Sequence, residues 1–477
     1  MFRLQRKSPT ALPAIARRWF GNTTPARALP KPSLNFKHFR DNLEHIEKNI
    51  VSRNLRSVNV RQVVNLYDKF CDLTQEINHL RSQRNDKVKE IGKLGKEAKT
   101  KAGQVLLEAA KVIKEALKEK ETSFEELEKQ LYKLALSIPN DTHPEAPVGE
   151  EKNAKVVKVV GEPRKEDWKL KDHVELARSL DLIDLEAAAE VTGSSWYYLK
   201  NAGALLEIGL IQYAMAKAMS KGFTPVITPD VVKLDVAHCC GYQPRDNEAT
   251  QIYSLNSDET ADSTHQLCLT GTAEIPLAGL MSNKIIPEEK LPVKLVGFGR
   301  AFRAEAGARG ADTKGLYRVH QFSKVELFTF AKPEDSNRML EEIRALEEEI
   351  FTDLGLCFRI LDMPTEELGA SAYRKYDMEA WMPGRNGWGE ISSTSNCTDY
   401  QSRRLNIRYR SEASSNSKSK KPNALEFVHT LNGTACAIPR MIISILEQYQ
   451  TEEGHVVVPK VLRPFLGGLE VIKPQGA

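Results

Sequence analysis

What this 477-residue chain lacks narrows what it can be. It has no run of about 18 apolar residues, so no membrane-spanning helix is expected. It has no C-x-x-C pair. Its seven cysteines are Cys71, Cys239, Cys240, Cys268, Cys357, Cys397 and Cys436, an odd number spaced for neither a disulfide framework nor a zinc site. They are expected as reduced thiols, mostly in the core. No acidic residue precedes Asp41, although the first 40 residues hold nine Lys or Arg. Residues 60–138 contain three glycines and no proline. No repeat of solenoid period occurs.

The composition present is that of a globular protein: 41% hydrophobic and 28% charged, long enough for two or three units. The net charge is 68 − 64 = +4, and without the first 40 residues it is 59 − 64 = −5. Nucleic-acid binding, if present, must therefore come from a local patch. In the N-terminus, Phe2, Leu4, Leu12, Ile15, Trp19 and Phe20 mix with Arg3, Arg6, Lys7, Arg17 and Arg18. A basic, acid-free, hydroxyl-containing segment of this kind predicts a mitochondrial transit peptide over residues 1–33, cleaved between Trp19 and Asn35, and a matrix location.

Leu66, Phe70, Leu73, Ile77 and Leu80 recur at steps of four and three, and the register runs on through Arg84 and Lys87 to Ile91 and Leu94. A second seam runs Leu106, Ala110, Ile113, Leu117, Lys120, Phe124, Leu127, Leu131, Leu134, Ile138. Two heptad seams about a break from Gly95 to Gly103 predict an antiparallel helical hairpin, because each seam needs a partner. Its end is basic: residues 84–104 carry seven Lys or Arg against three acids. The Pro-, Gly- and charge-rich stretch 141–175 reads as a linker, and Ser411–Lys421 as an exposed loop.

Tyr317-Arg-Val-His-Gln-Phe-Ser-Lys-Val-Glu-Leu-Phe328 alternates. As a strand it places Val319, Val325 and Leu327 on one face, and Arg318, His320, Phe322, Lys324 and Glu326 on the other. A core strand does not collect cations, a ring and a carboxylate on one side unless that side meets something polar. Arg holds phosphate oxygens, Phe stacks on a flat heterocycle, and Glu accepts from an ammonium group. Arg303 and Glu305 share a face at the end of the preceding strand. The glycine-rich loop Ala306–Gly315 between the two is long for a hairpin. Thr272 and Glu274 read as one face of a short strand. Arg440 lies at the start of an apolar helix from Met441 to Tyr449, where a cation adds to a backbone end suited to anions.

Phe302-Arg-Ala-Glu305 with Arg318-Val-His-Gln-Phe322 resembles motif 2 of the class II aminoacyl-tRNA synthetases, in its seryl form. Gly222-Phe-Thr-Pro-Val-Ile-Thr-Pro229 resembles motif 1, and Asn432–Arg440 with its helix resembles motif 3. The triplet Thr272-Ala273-Glu274 is similar to the serine-binding signature, and the helical arm is typical of seryl enzymes. Met363-Pro, Ala380-Trp-Met-Pro383 and Ser395-Asn-Cys-Thr398 look most like the animal mitochondrial branch.

The resemblance implies an α+β fold: a class II antiparallel-sheet catalytic domain with helices (176–477), after an N-terminal tRNA-binding domain (34–140) whose coiled-coil arm spans about 60–138. It implies that Arg303 meets the α-phosphate and the serine carboxylate, and that Glu305 accepts from the adenine amino group. Phe322 stacks on adenine, and Ala304, Val319, His320 and Gln321 line the nucleotide. Thr272–Glu274 and Glu326 hold the serine ammonium group, and Thr434, near Asn432, reads the hydroxyl. Thr434 stands where many relatives have Ser, and keeps the hydroxyl. Glu390 and Ser393, flanking Ile391 and Ser392, ligate Mg²⁺ on ATP. Arg318 and Arg440 grip the outer phosphates. The implied partners are ATP, L-serine, tRNA(Ser) and a second copy of the chain through the region of Pro229, with neither zinc nor an organic cofactor. The competing expectation is a catalytically inactive paralogue, which should have lost site charges. Here Glu274, Arg303, Glu305, Glu326, Glu390 and Arg440 all remain.

Overall fold

The computed structural model describes Leu29 and residues 31–94, 100–242, 251–255, 266–305, 314–411 and 424–474. The transit segment up to residue 28, the centre of the arm's break, most of the loop 306–315 and most of the Ser/Lys-rich loop lie outside the described residues.

Two short helices, α1 (Phe36–Asp41) and α2 (Leu43–Ser52), lead into two long ones, α3 (Val60–Leu94) and α4 (Lys101–Ala135), of 35 residues each. At 1.5 Å per residue each extends about 50 Å. The heptad positions face one another: Ile77, Leu117 and Leu131 are buried, and Phe70 packs on Phe124 with ring centroids 4.7 Å apart. Lys120 departs from the seam. It is exposed and pairs with Glu76 at 2.8 Å across the hairpin. The break is shorter than expected, because Thr100 caps α4 by accepting from the Gly103 amide and the helix resumes at Lys101. At the base, Ile46, Ile50, Val63, Leu131, Ala135 and Ile138 form a separate small core.

The remaining chain is built on eight strands: β1 (Lys155–Val160), β2 (Thr224–Ile227), β3 (Val293–Phe302), β4 (Gln321–Ala331), β5 (Phe358–Asp362), β6 (Arg374–Met382), β7 (Gly387–Asn396) and β8 (His429–Ala437). Their order is β1-β5-β6-β7-β8-β4-β3-β2, antiparallel throughout except for β2 beside β3. β1 corrects the linker expectation: Lys-Val-Val-Lys-Val-Val joins the sheet at its edge. Its solvent-facing lysines and valines (Val156, Val157, Val159) hid it among polar neighbours.

Three helices, α5 (Asn201–Ser220), α7 (Ser336–Asp353) and α8 (Ile438–Gln448), share one core with Val325 and Leu327 on one face of the sheet. The short helix α6 (Glu274–Gly279) packs on the other face with Phe328 and Phe330. That second face is apolar only at one end. Further back along β4 it carries Glu326, Lys324 and Phe322, and there the cleft opens.

Arg53, 1% exposed, ties the helical part to the sheet part. It donates to the carbonyls of Asp141 (2.8 Å), Gly369 (3.1 Å) and Ala372 (2.8 Å) and to Thr142 Oγ1 at 3.0 Å. Arg53→Met would strand those carbonyls out of reach of water. It is expected to lower the unfolding free energy by about 3 kcal/mol, measured by guanidinium chloride melts of the full chain.

Candidate active site

The β4–β8 register sets Glu326 opposite Thr434, and β3–β4 pairing ends with Gln321 opposite Phe302. Residues 303–305 and 314–320 are therefore not strand, which corrects the extended ladder expected from Tyr317. The Arg303 amide donates to His320 O at 2.9 Å, and Glu305 takes a left-handed φ of 46°. Arg318 reaches the cleft from a turn and pairs with Glu305 at 3.0 Å. Alternation holds only from Phe322 onward.

Thr272–Glu274 is likewise not a strand. Glu274 begins α6, and Thr272 Oγ1 accepts from the Glu274 amide at 3.3 Å. Pro276 sits in the first helical turn, where no amide hydrogen is needed. This turn swings Glu274 under the sheet, where Gln401 donates to it at 2.6 Å and Asn432 at 2.9 Å. The Gln401 amide is oriented by Thr430 Oγ1, which donates to Gln401 Oε1 at 2.7 Å.

A cleft of about 560 Å³ gathers Arg303, Glu305, Arg318, Val319, Phe322, Lys324, Glu390, Ile391, Ser392, Ser393, Thr434 and Arg440. The Arg303 guanidinium lies 5.3 Å from the Phe322 ring centre and 3.4 Å from Gly271 O through Nε. Arg440, in the first turn of α8, pairs with Glu390 at 3.1 Å and donates to Glu390 O at 3.0 Å and Tyr317 O at 3.3 Å. Behind the cleft, Lys324 pairs with Glu326 at 2.7 Å and donates to Thr272 Oγ1 at 3.2 Å. The cleft thus has an outer cationic end and an inner acidic floor.

Three residues expected to line the nucleotide do not line the cleft, and the expected serine-site residues Thr272, Ala273, Glu274, Glu326 and Asn432 lie outside its wall as well. Ala304 is absent from its wall. His320 turns away to stack on Trp196 (5.8 Å between centroids) and bond Tyr253 OH at 2.9 Å. Gln321 lines a neighbouring cavity with Trp196, Glu207 and Arg300. Alternation set Lys324 on the polar face without assigning it a role, and no pattern signalled Gln401 or Tyr317.

The charges perturb one another. Burial would raise Glu390, but Arg440, and then Lys375, hold it down to about 2, so it is ionised throughout the physiological range. Its side chain remains 42% exposed. Burial pushes Glu326 up to about 7 against the pull of Lys324, with the nearby Glu274 adding to the rise. Glu274 itself is raised, mainly by burial.

With this geometry in place, the comparisons with known proteins are specific. Residues 34–142 match the seryl-tRNA synthetase N-terminal domain, and residues 253–449 match the tRNA synthetase class II core domain (G, H, P, S and T). A serine–tRNA ligase of Treponema denticola is 44% identical over 438 residues, covering 91% of this chain and 99% of that protein. A protein of Schizosaccharomyces pombe named serine–tRNA ligase, mitochondrial, is 43% identical over 91% of this chain and 88% of its own length. The solved seryl-tRNA synthetase of Pyrococcus horikoshii, complexed with ATP, superposes with a TM-score of 0.79 at 36% identity, covering 92% of this chain and 99% of that one.

Glu326 gives a pH signature. Between its unfolded value of 4.5 and its folded value of about 7, the native state holds a proton that the unfolded chain lacks. The stability from this group is therefore full below 4.5 and lost as pH rises to 7. In Glu326→Gln that slope, up to about 3 kcal/mol, is expected to vanish from denaturant melts at pH 5 to 8.

Proposed function

The chain belongs to the seryl-tRNA synthetase family, with the enzyme class of the serine–tRNA ligases; from this we propose that it activates serine with ATP in the Arg303–Arg440 cleft and charges mitochondrial tRNA(Ser). The observation that carries the proposal is the union, on one face of β4, of a cationic outer end with an acidic floor beside Thr434.

The floor suits an amino acid. Glu326 and Glu274 face an ammonium group, and Thr434 offers a hydroxyl partner to serine. Alanine would leave that partner unpaired, so discrimination needs no editing site. Toward the opening, Arg303 lies between floor and outer end, positioned to neutralise both the serine carboxylate and the α-phosphate. Phe322 offers a stacking face for adenine, and Glu305, with Arg318, stands at its edge. The carboxylate is already a nucleophile, so no protein base is required. Its oxygen attacks the α-phosphorus, the bond to the bridging oxygen breaks, and pyrophosphate leaves near Arg440 and Arg318. Two anions must meet, so the arginines supply the main stabilisation. The tRNA terminal hydroxyl then attacks the seryl carbonyl, and AMP leaves.

Glu390 and Ser393 fit a magnesium ion carried with ATP: one carboxylate held ionised and one hydroxyl, both hard oxygen donors, suit an ion that keeps phosphate ligands. When bound, the ion adds positive charge to the phosphates.

The basic end of the helical arm is assigned to the tRNA body, by phosphate and shape contacts. A second copy is assigned to the exposed apolar surface of α5 and β2, where Leu205 (46%), Ile208 (52%) and Ile227 (85%) stand open beside Pro229. The mitochondrial assignment is supported by the acid-free N-terminus and by the mitochondrial name of the fission-yeast relative.

Purified chain is expected to catalyse serine-dependent ATP–pyrophosphate exchange. No exchange by folded dimer would leave only the inactive-paralogue reading. Arg303→Ala should cut the exchange rate by about 100-fold or more while tRNA binding survives; loss of tRNA binding instead would mean the site is misassigned.

A further inference from the structure

One buried histidine near the cleft has no part in this chemistry. His173 opens the helix His173–Ser179 and is 7% exposed. Its backbone amide donates to Glu447 Oε1 at 2.9 Å, and its ring Nδ1 lies 3.0 Å from the same oxygen. On the far side of the ring, the Leu316 amide donates to Nε2 at 3.2 Å. An amide donor aimed at Nε2 needs a lone pair there, so the ring proton sits on Nδ1 and is given to Glu447. The ring is thus used at both ends. It joins the root of the loop before Leu316 to α8.

The fit is close. Gly315 has φ +64°, and a Cβ there would come within 2.3 Å of His173 Nε2. Asp172, the residue before His173, also pairs with Lys314. Glu447 lies seven residues after Arg440 on α8, two turns away on the same side.

Leu316 is followed by Tyr317, which touches Glu390, Arg440 and Arg385 at the outer end of the cleft. Its hydroxyl accepts from the Glu390 amide at 3.1 Å, and its carbonyl accepts from Arg440 Nε at 3.3 Å. Its ring lies 4.6 Å from the Arg440 guanidinium and 4.8 Å from that of Arg385. Whatever fixes Leu316 therefore fixes the arginine and the carboxylate assigned to ATP. The serine floor is held separately, by Gln401, Asn432 and Lys324.

We propose that His173, paired to Glu447, is a positioning residue for the outer-phosphate end of the nucleotide site, acting through Leu316 and Tyr317 on Arg440 and Glu390. This rests on the reading of the cleft as the site of ATP.

The test is ATP–pyrophosphate exchange by the full chain carrying His173→Ala or His173→Asn, with KM measured separately for ATP and serine alongside thermal unfolding. Asn keeps a donor toward Glu447 but offers nothing to Leu316. Both variants are expected to raise KM for ATP about tenfold and KM for serine less than about twofold, with H173N unfolding close to the unaltered chain. An H173N enzyme with unchanged KM for ATP sinks the clamp while leaving the site assignment intact. So does a parallel rise of both KM values that tracks a fall in Tm. No exchange by the unaltered chain would sink the site assignment and the clamp together.

Discussion

Charge packed into the middle of an antiparallel sheet is the constraint to which the rest of the structure answers. Arg303, Lys324, Glu390 and Arg440 line one cleft, Glu326 and Glu274 lie behind it, and most have little access to water. An unpaired charge in such a place costs several kcal/mol, so each must find a partner before any substrate arrives. Lys324 answers Glu326, Arg440 answers Glu390, and two side-chain amides answer Glu274. These pairings are what a substrate with opposite charges at its two ends can exchange for its own.

Such a site demands a rigid platform. Helices α5, α7 and α8 cover one face of the sheet with a continuous apolar layer, leaving the other face free for the cleft. The layer is tight enough to press on the backbone: a Cβ at Gly433 would come 2.4 Å from both Glu347 and Ile343 of α7. That contact holds β8 down beside Thr434. Glu347 itself is fully buried, its carboxyl raised well above the usual range by burial, and it accepts from Thr394 on β7. The two strands carrying Ser393 and Thr434 are thus fixed from below.

The helical arm obeys a different rule. Its seam is local and periodic, and its cross-links are exposed pairs such as Arg81–Glu121 and Lys120–Glu76, worth little singly. Arg53 joins this part to the sheet part through backbone carbonyls, a connection set by geometry.

The sequence by itself determined what depends on local periodicity. The heptads gave the hairpin, and alternation from Phe322 to Leu327 placed Lys324 and Glu326 on a face apart from Val325 and Leu327. The resemblance of its motifs pointed to the family. Where strand and non-strand backbone use the same residues, pattern failed: Thr272–Glu274 and Arg318–His320 read as strand, but the first leads into a helix and the second is a bend whose His320 backbone bonds Arg303 and Ser195. β1 was hidden because an exposed edge strand has no buried face to alternate. Only the tertiary structure decided which charges meet. Gln401 beneath Glu274, Tyr317 against Arg440 and His173 against Glu447 are contacts across more than a hundred residues, and no spacing along the chain encodes them. Pairing of buried charge is settled by three-dimensional proximity in a low dielectric, which sequence order does not contain.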